Sequence, residues 1–149
     1  MKVLIHTDGC SLGNPGPGGA AAVLETEAGE PLAAVSESLP HTTNNVAEYR
    51  AVLLGLRTAR EHGAKTVEVR SDSELVVRQV RGEYRVKQPH LRPLVREVRA
   101  LLAGFEGATL ESVPREANRE ADRLAKAAAH EVERSAAQSG RGQGRLLDE

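Results

Sequence analysis

The chain has 149 residues, 40% hydrophobic, 28% charged and 2% aromatic, with a net charge of −1. That length suits a single domain with one core, the lone Cys10 excludes an intrachain disulfide, and no stretch reaches the roughly 20 apolar residues of a membrane span. Nothing from Met1 onward resembles a signal peptide, so a soluble, cytoplasmic protein with no membrane partner is expected.

Lys2 to Asp8 alternates in polarity and predicts a strand, with Asp8 at its C-terminal end. The loop that follows, "TDGCSLGNPGPGG", has the glycines of a phosphate cradle but lacks the lysine of G-x-x-x-x-G-K-[ST]. A calcium loop is excluded as well, because acidic or amide residues do not recur at every second position and no distal bidentate Glu follows. Ala20 to Glu25 and Pro31 to Leu39 predict two more strands around a turn at Glu27-Ala28-Gly29, completing an antiparallel meander. Thr42-Thr43-Asn44-Asn45 starts a helix that runs to His62, with Ala47, Ala51, Leu54 and Thr58 on one stripe and Gly63 at its close.

Thr66 to Ser71 predicts a fourth strand ending at Asp72. A short helix from Ser73 or Glu74 to Arg81 closes at Gly82, and Leu91, Leu94, Val95, Val98, Leu101 and Leu102 mark the next helix. Thr109 to Val113 predicts the last strand and Asn118 to Arg134 the last helix; residues 135–149 are small, polar and aperiodic, and are expected to be a disordered tail behind a domain of residues 1–134. The order β-β-β-α-β-α-α-β-α places the fourth strand parallel to the first through a right-handed crossover. Asp8 and Asp72 then emerge side by side.

Between Arg78 and Arg99 seven basic residues face only Glu83 and Glu97. Such a run is either a solvated helix face or a phosphate-binding surface, and it gains meaning only beside phosphodiester chemistry. Two strand ends and two helix starts carry Asp8, Asp72, Glu48 and Asp122. Each has an ordinary local reading: an Asx-turn for Asp8, a capping-box partner of Asn45 for Glu48, a cap for Asp72, an exposed helical acid for Asp122. Brought to about 4 Å, carboxylates repel by about 4 kcal/mol per pair at an effective dielectric of 20, so a convergent cluster favours divalent cations. Mg²⁺ suits such oxygen ligands and leaves positions open for substrate phosphate.

The blocks "TDGCSLGNPGPGG", "TTNNVAEYRA", "SDSELVV" and "NREADRLA" resemble the type 1 ribonuclease H family in order, spacing and element, across most of residues 2–130. That resemblance implies an α/β, ribonuclease H-like fold: a five-stranded mixed sheet, a three-strand antiparallel meander plus parallel strands, with helices on both faces. It implies that Asp8, Glu48, Asp72 and Asp122 are the catalytic, metal-binding acids for two Mg²⁺ ions, with Mn²⁺ as a substitute, and that an RNA·DNA hybrid is the partner. Cleavage of the RNA strand would leave 5′-phosphate and 3′-hydroxyl ends. The resemblance further implies hybrid contacts from Gly9, Cys10, Ser11, Asn14, Asn44 and Asn45 to 2′-hydroxyls, and from Thr43 and Asn118 near DNA phosphate.

Two departures stand out. Gly107 to Ala129 contains no counterpart of the family's loop histidine, and Arg115 lies nearest that place. The tryptophan-rich basic protrusion of longer relatives is reduced to "GEYRVKQPHLRP", so Arg81, Arg85 and Lys87 are expected to meet DNA phosphates instead. The leading expectation is a monomeric ribonuclease H; a non-cleaving nucleic-acid-binding module of the same fold is the alternative, and a DNA or junction nuclease has less support.

Overall fold

Alternating apolar residues build five strands, and helical stripes of small and branched residues cover them. The computed structural model describes residues 1–148, with side chains through residue 138. In chain order they are β1 (Lys2–Ser11), β2 (Gly16–Thr26), β3 (Pro31–Thr42), α1 (Asn44–Glu61), β4 (Thr66–Ser71), α2 (Glu74–Arg81), α3 (Arg92–Ala103), β5 (Gly107–Ser112) and α4 (Arg119–Asp148). Short 3-10 turns at Pro89–Leu91 and Arg115–Asn118 lead into α3 and α4. The sheet order is β3-β2-β1-β4-β5, antiparallel from β3 to β1 and parallel from β1 to β5. This is the five-stranded mixed sheet that the sequence implied.

Val3 and Ile5 of β1, Ala22 and Leu24 of β2, and Val67 and Val69 of β4 turn to one face. There they meet Val52, Leu53 and Leu56 of α1, Val76 and Val77 of α2, and Val95 and Val98 of α3. Each fully buried aliphatic side chain contributes about 1.5–3 kcal/mol by leaving water, so this face holds most of the stability. α4 covers the opposite face, over β1, β2 and β3, through Ala121, Ala125, Ala128 and Ala129. A Cβ on Gly19 would strike the Ala125 carbonyl, so only glycine lets α4 lie this close.

Helix ends follow local chemistry. Thr43 caps α1 by accepting from Val46 N–H at 3.2 Å, Ser73 caps α2 by accepting from Val76 N–H at 3.3 Å, and Gly82 closes α2 at φ 82°. With Thr43 as the cap, Glu48 lies a turn inside α1 and is no capping-box partner of Asn45. Several boundaries differ from expectation: β2 begins at Gly16, four residues early and inside the expected loop, and β3 runs past Leu39 to Thr42. β1 continues past Asp8 to Ser11 because β2 goes on pairing with it down to Ser11↔Gly18; Asp8 marks only the end of pairing with β4, whose last rung is Thr7↔Ser71. β5 begins at Gly107, two residues early, where Gly107 pairs with Thr66. The last helix does not stop at Arg134 but continues through Ser135-Ala136-Ala137-Gln138, which contains no helix breaker, and its bounds reach Asp148 across Gly140, Gly142 and Gly144. No helix among the described residues is long and apolar enough to cross a membrane.

Candidate metal centre

Asp8 leaves β1 where that strand stops pairing with β4, and Asp72 follows the last residue of β4 directly, so the parallel pair delivers two carboxylates together. Glu48 joins them from α1 because Gly9 has no side chain. A Cβ there would fall on the Ala47 carbonyl and the Glu48 nitrogen, holding the helix away. The Gly9 N–H instead donates to Glu48 Oε1 at 2.7 Å. Asp8, Glu48 and Asp72 each place a carboxylate oxygen within 4.8 Å of the other two. Glu48 Oε2 is buried and accepts nothing among the described residues.

Asp122, on the first turn of α4, comes within hydrogen-bond reach of Asp8. Its other neighbour is Lys126, whose Nζ lies 3.0 Å from Asp122 Oδ2. The Arg115 guanidinium stands 3.8 Å from Asp72 Oδ2. The four acids and these two cations line one cleft of about 300 Å³.

Burial, then the neighbouring Glu48 and Asp72 carboxylates, pushes the Asp8 acid far above its ordinary range. Burial and the Asp72 charge raise Glu48 too, against the opposing pull of Asp8's hydrogen bond and the Gly9 N–H. Burial also pushes on Asp122, but the Lys126 ammonium, the Asp8 hydrogen bond and Arg115 outweigh it and keep that carboxyl below the usual value. Charge is thus crowded at one end of the cleft and neutralised at the other. Burial and the Asp8 charge raise the Cys10 thiol, which disfavours the thiolate.

Beside the acids lie the amide residues Asn14, Asn44 and Asn45. Asn14 Oδ1 accepts from the Asn44 backbone N–H at 3.0 Å, and Asn44 Oδ1 accepts from Ser11 N–H at 2.9 Å and from Ser11 Oγ at 3.1 Å. Asn14 and Asn44 are exposed, Asn45 is half-buried at the cleft wall, and Asn14 and Asn44 use only their oxygens in these bonds. The backbone N–H groups of Gly9 and Ser11, residues expected to meet 2′-hydroxyls, donate within the protein to Glu48 Oε1 and Asn44 Oδ1.

The basic residues divide. Arg85 and Lys87 line a cleft of about 480 Å³ that shares Asn45 with the acidic one. Arg81 does not join them; it lines a separate groove with Arg99 beside β5. Asn118 is placed differently again: it is 2% exposed, with its amide directed into the sheet, so the expected nucleic-acid contact gives way to internal hydrogen bonds. Lys126 escaped the sequence reading, although its place four residues after Asp122 on one helix was a usable signal. Gln88 and His90, which face Thr43 and Asn14 across a further cleft, carried none, since they sit in the irregular segment between α2 and α3.

Residues 6–128 match the family described as reverse transcriptase-like. The bifunctional protein Rv2228c of Mycobacterium tuberculosis is 44% identical over 138 residues, which are 92% of this chain and 38% of that protein. Its N-terminal RNase H domain superposes with a TM-score of 0.87 at 43% identity, covering 91% of this chain and 98% of the domain. Ribonuclease HI of Halobacterium salinarum is 38% identical over 124 residues, 83% of this chain and 62% of that protein. The chain therefore spans less than two thirds of the length of both full proteins. LC11-RNase H1, solved in complex with an RNA/DNA hybrid, superposes with a TM-score of 0.81 at 37% identity, covering 87% of this chain and 97% of that one.

Proposed function

Because the chain belongs to the type 1 ribonuclease H family, in its short form, we propose that residues 1–134 form a metal-dependent endoribonuclease that hydrolyses the RNA strand of RNA·DNA hybrids. The observation that carries this is the meeting of Asp8, Glu48 and Asp72 within 4.8 Å, with a buried Glu48 oxygen that lacks a protein partner. Hard carboxylate oxygens in that number fit Mg²⁺, with Mn²⁺ as a substitute. When bound, paired ions stabilise charge on both the attacking and the leaving oxygen of an in-line displacement.

Asp8, central among the acids, would help hold both ions. With it, Asp122 would hold the ion on the side of the attacking water, and Glu48 and Asp72 the ion on the side of the leaving 3′-oxygen. The ends left are a 5′-phosphate and a 3′-hydroxyl. Until the ions arrive, protons held by Asp8 and Glu48 relieve the crowding that burial and mutual repulsion create.

The amide nitrogens of Asn14 and Asn44, unpaired among the described residues, together with Asn45 offer donors to 2′-hydroxyls, which are the feature that separates RNA from DNA in the minor groove. Cys10 and Ser11 line the approach to them. Thr43, with Asn14 beside it, suits a DNA phosphate, and Arg85 and Lys87 extend that contact along the strand. Arg115, beside Asp72 and exposed, takes phosphate where a histidine stands in other family members. One chain carries the whole acidic set, which suits a monomer.

An end-labelled hybrid incubated with the protein and Mg²⁺ tests this, alongside duplex DNA, duplex RNA and Asp8→Asn. Only the RNA strand of the hybrid should be cut, with the stated ends, and Asp8→Asn should be inert. Tight hybrid binding by the wild type without any cutting would overturn the enzyme in favour of a binding module.

A further inference from the structure

β1 and β4 pair from Lys2↔Thr66 to Thr7↔Ser71 and no further, and the next residues are Asp8 and Asp72. At this open end of the ladder stands Asn118, the last residue of the 3-10 turn before α4. Its Nδ2 donates to the Thr7 carbonyl at 2.9 Å and to the Arg70 carbonyl at 3.1 Å, so one amide clasps both strands. Two carbonyl acceptors use both of its hydrogens and leave Oδ1 facing His6 Nδ1 at 3.1 Å. His6 is held in turn by Glu25 Oε1, 3.2 Å from Nε2. Every polar atom of the Asn118 side chain is therefore spent on the sheet, and none caps its own helix.

Asp122 lies four residues further on, about 6 Å along the helix axis. Beyond it, α4 is held by alanine packing at Ala121, Ala125 and Ala128 and, six residues past Asp122, by Ser38 Oγ donating to the Ala128 carbonyl at 2.9 Å. Small apolar contacts are non-directional and tolerate sliding; hydrogen bonds to two fixed carbonyls do not.

We propose that Asn118 is the positioning residue of the acidic centre: by tying the start of α4 to the β1 and β4 backbones it sets Asp122 against Asp8 and Asp72. This rests on the acidic cluster being the catalytic centre. Asn118 touches no substrate; it acts through Asp122, and a displacement of the order of 1 Å in such a centre lowers turnover by on the order of 100-fold.

The test compares wild type with Asn118→Leu, which keeps the branched shape without hydrogen bonds, and Asn118→Ala. Hybrid cleavage is measured at temperatures where circular dichroism shows each variant folded, and the Mg²⁺ midpoint of thermal stabilisation is measured separately. Turnover should fall roughly 10- to 100-fold, with KM within about twofold and a weaker Mg²⁺ midpoint. A raised KM at unchanged kcat would make Asn118 a substrate contact and overturn the proposal. So would wild-type kcat and Mg²⁺ midpoint with only a lower melting temperature. If the wild type itself cuts no hybrid, the enzymatic reading fails, and the Mg²⁺ midpoint alone decides for or against Asn118. Should neither variant fold, hydrogen exchange of the Asn118 side-chain amide in the wild type decides: it should be far slower than that of exposed Asn44, and equal rates would overturn the assignment.

Discussion

Asp8→Asn should make the metal-free protein more stable while destroying its response to Mg²⁺. Asp8 shares a space with Glu48 and Asp72 in which ligand oxygens lie within 4.8 Å of one another. Two full charges at that distance repel by about 3.5 kcal/mol at an effective dielectric of 20. Proton uptake already relieves part of this, since burial and the neighbouring carboxylates raise the Asp8 acid strongly. Holding that proton at pH 8 has its own cost, because an ordinary Asp is ionised there, and an asparagine removes the cost along with the charge. The open cleft admits water and screens the rest. A gain on the order of 2 kcal/mol follows, or roughly 4–8 °C in melting temperature for a domain of this size.

The sign with pH provides an internal control. Asp8 and Glu48 have folded-state values above their ordinary 3.8 and 4.5, so between those ordinary values and the raised ones the folded protein holds more protons than the unfolded chain. Stability contributed by the protonated pair is complete below the unfolded values and is lost as pH rises toward the folded ones. The advantage of Asp8→Asn should therefore be small near pH 4 and grow toward pH 8. Thermal melts in a chelator across this range measure it, and a parallel series at ten times the Mg²⁺ dissociation constant should add about 1.4 kcal/mol to the wild type alone. A variant that melts below wild type at pH 8 without metal, or that keeps the Mg²⁺ response, would refute the reasoning.

Gly9→Ala should push the start of α1 off β1, lowering stability by about 1–3 kcal/mol in urea titrations and abolishing Mg²⁺ stabilisation; a functional alanine variant would mean that the helix does not need this approach. Reversing charge at Arg85 and Lys87 together should weaken hybrid binding and reduce the salt slope by about 2, roughly 0.9 per phosphate lost. Arg81→Glu, in its separate groove, should leave that slope unaltered, and fluorescence anisotropy across a salt series separates the two. Lys126→Met should tighten Mg²⁺ binding by calorimetry, because the ammonium 3.0 Å from Asp122 competes with a cation for that carboxylate; unchanged or weaker binding would count against it.

The order of elements was legible because it is written in local periodicity: alternation in "VLIHT" and "TVEVRS" marks half-buried strands, and the spacing of Val95, Val98 and Leu102 marks a helix. The parallel crossover followed from chain connectivity, and with it the meeting of Asp8 and Asp72. Each of the four acids was individually ambiguous, and only their matched surroundings singled them out. Glu48 is the clearest example, since its capping-box reading fails only once Thr43 takes the cap and Gly9 opens the space beside it.

The sequence by itself therefore determined which faces are apolar, in what order strands and helices follow, and which carboxylates the chain can bring to one end of its sheet. Tertiary structure alone decided that Asn118 turns inward to two strand carbonyls, that Gly9 and Ser11 spend their N–H groups within the protein, that Arg81 parts from Arg85 and Lys87, and that Lys126 sits against Asp122. The physical reason is range. Burial pattern repeats every two or 3.6 residues and can be read locally, whereas the partner of a buried amide or a charged tip is whatever a distant strand places within about 3 Å of it.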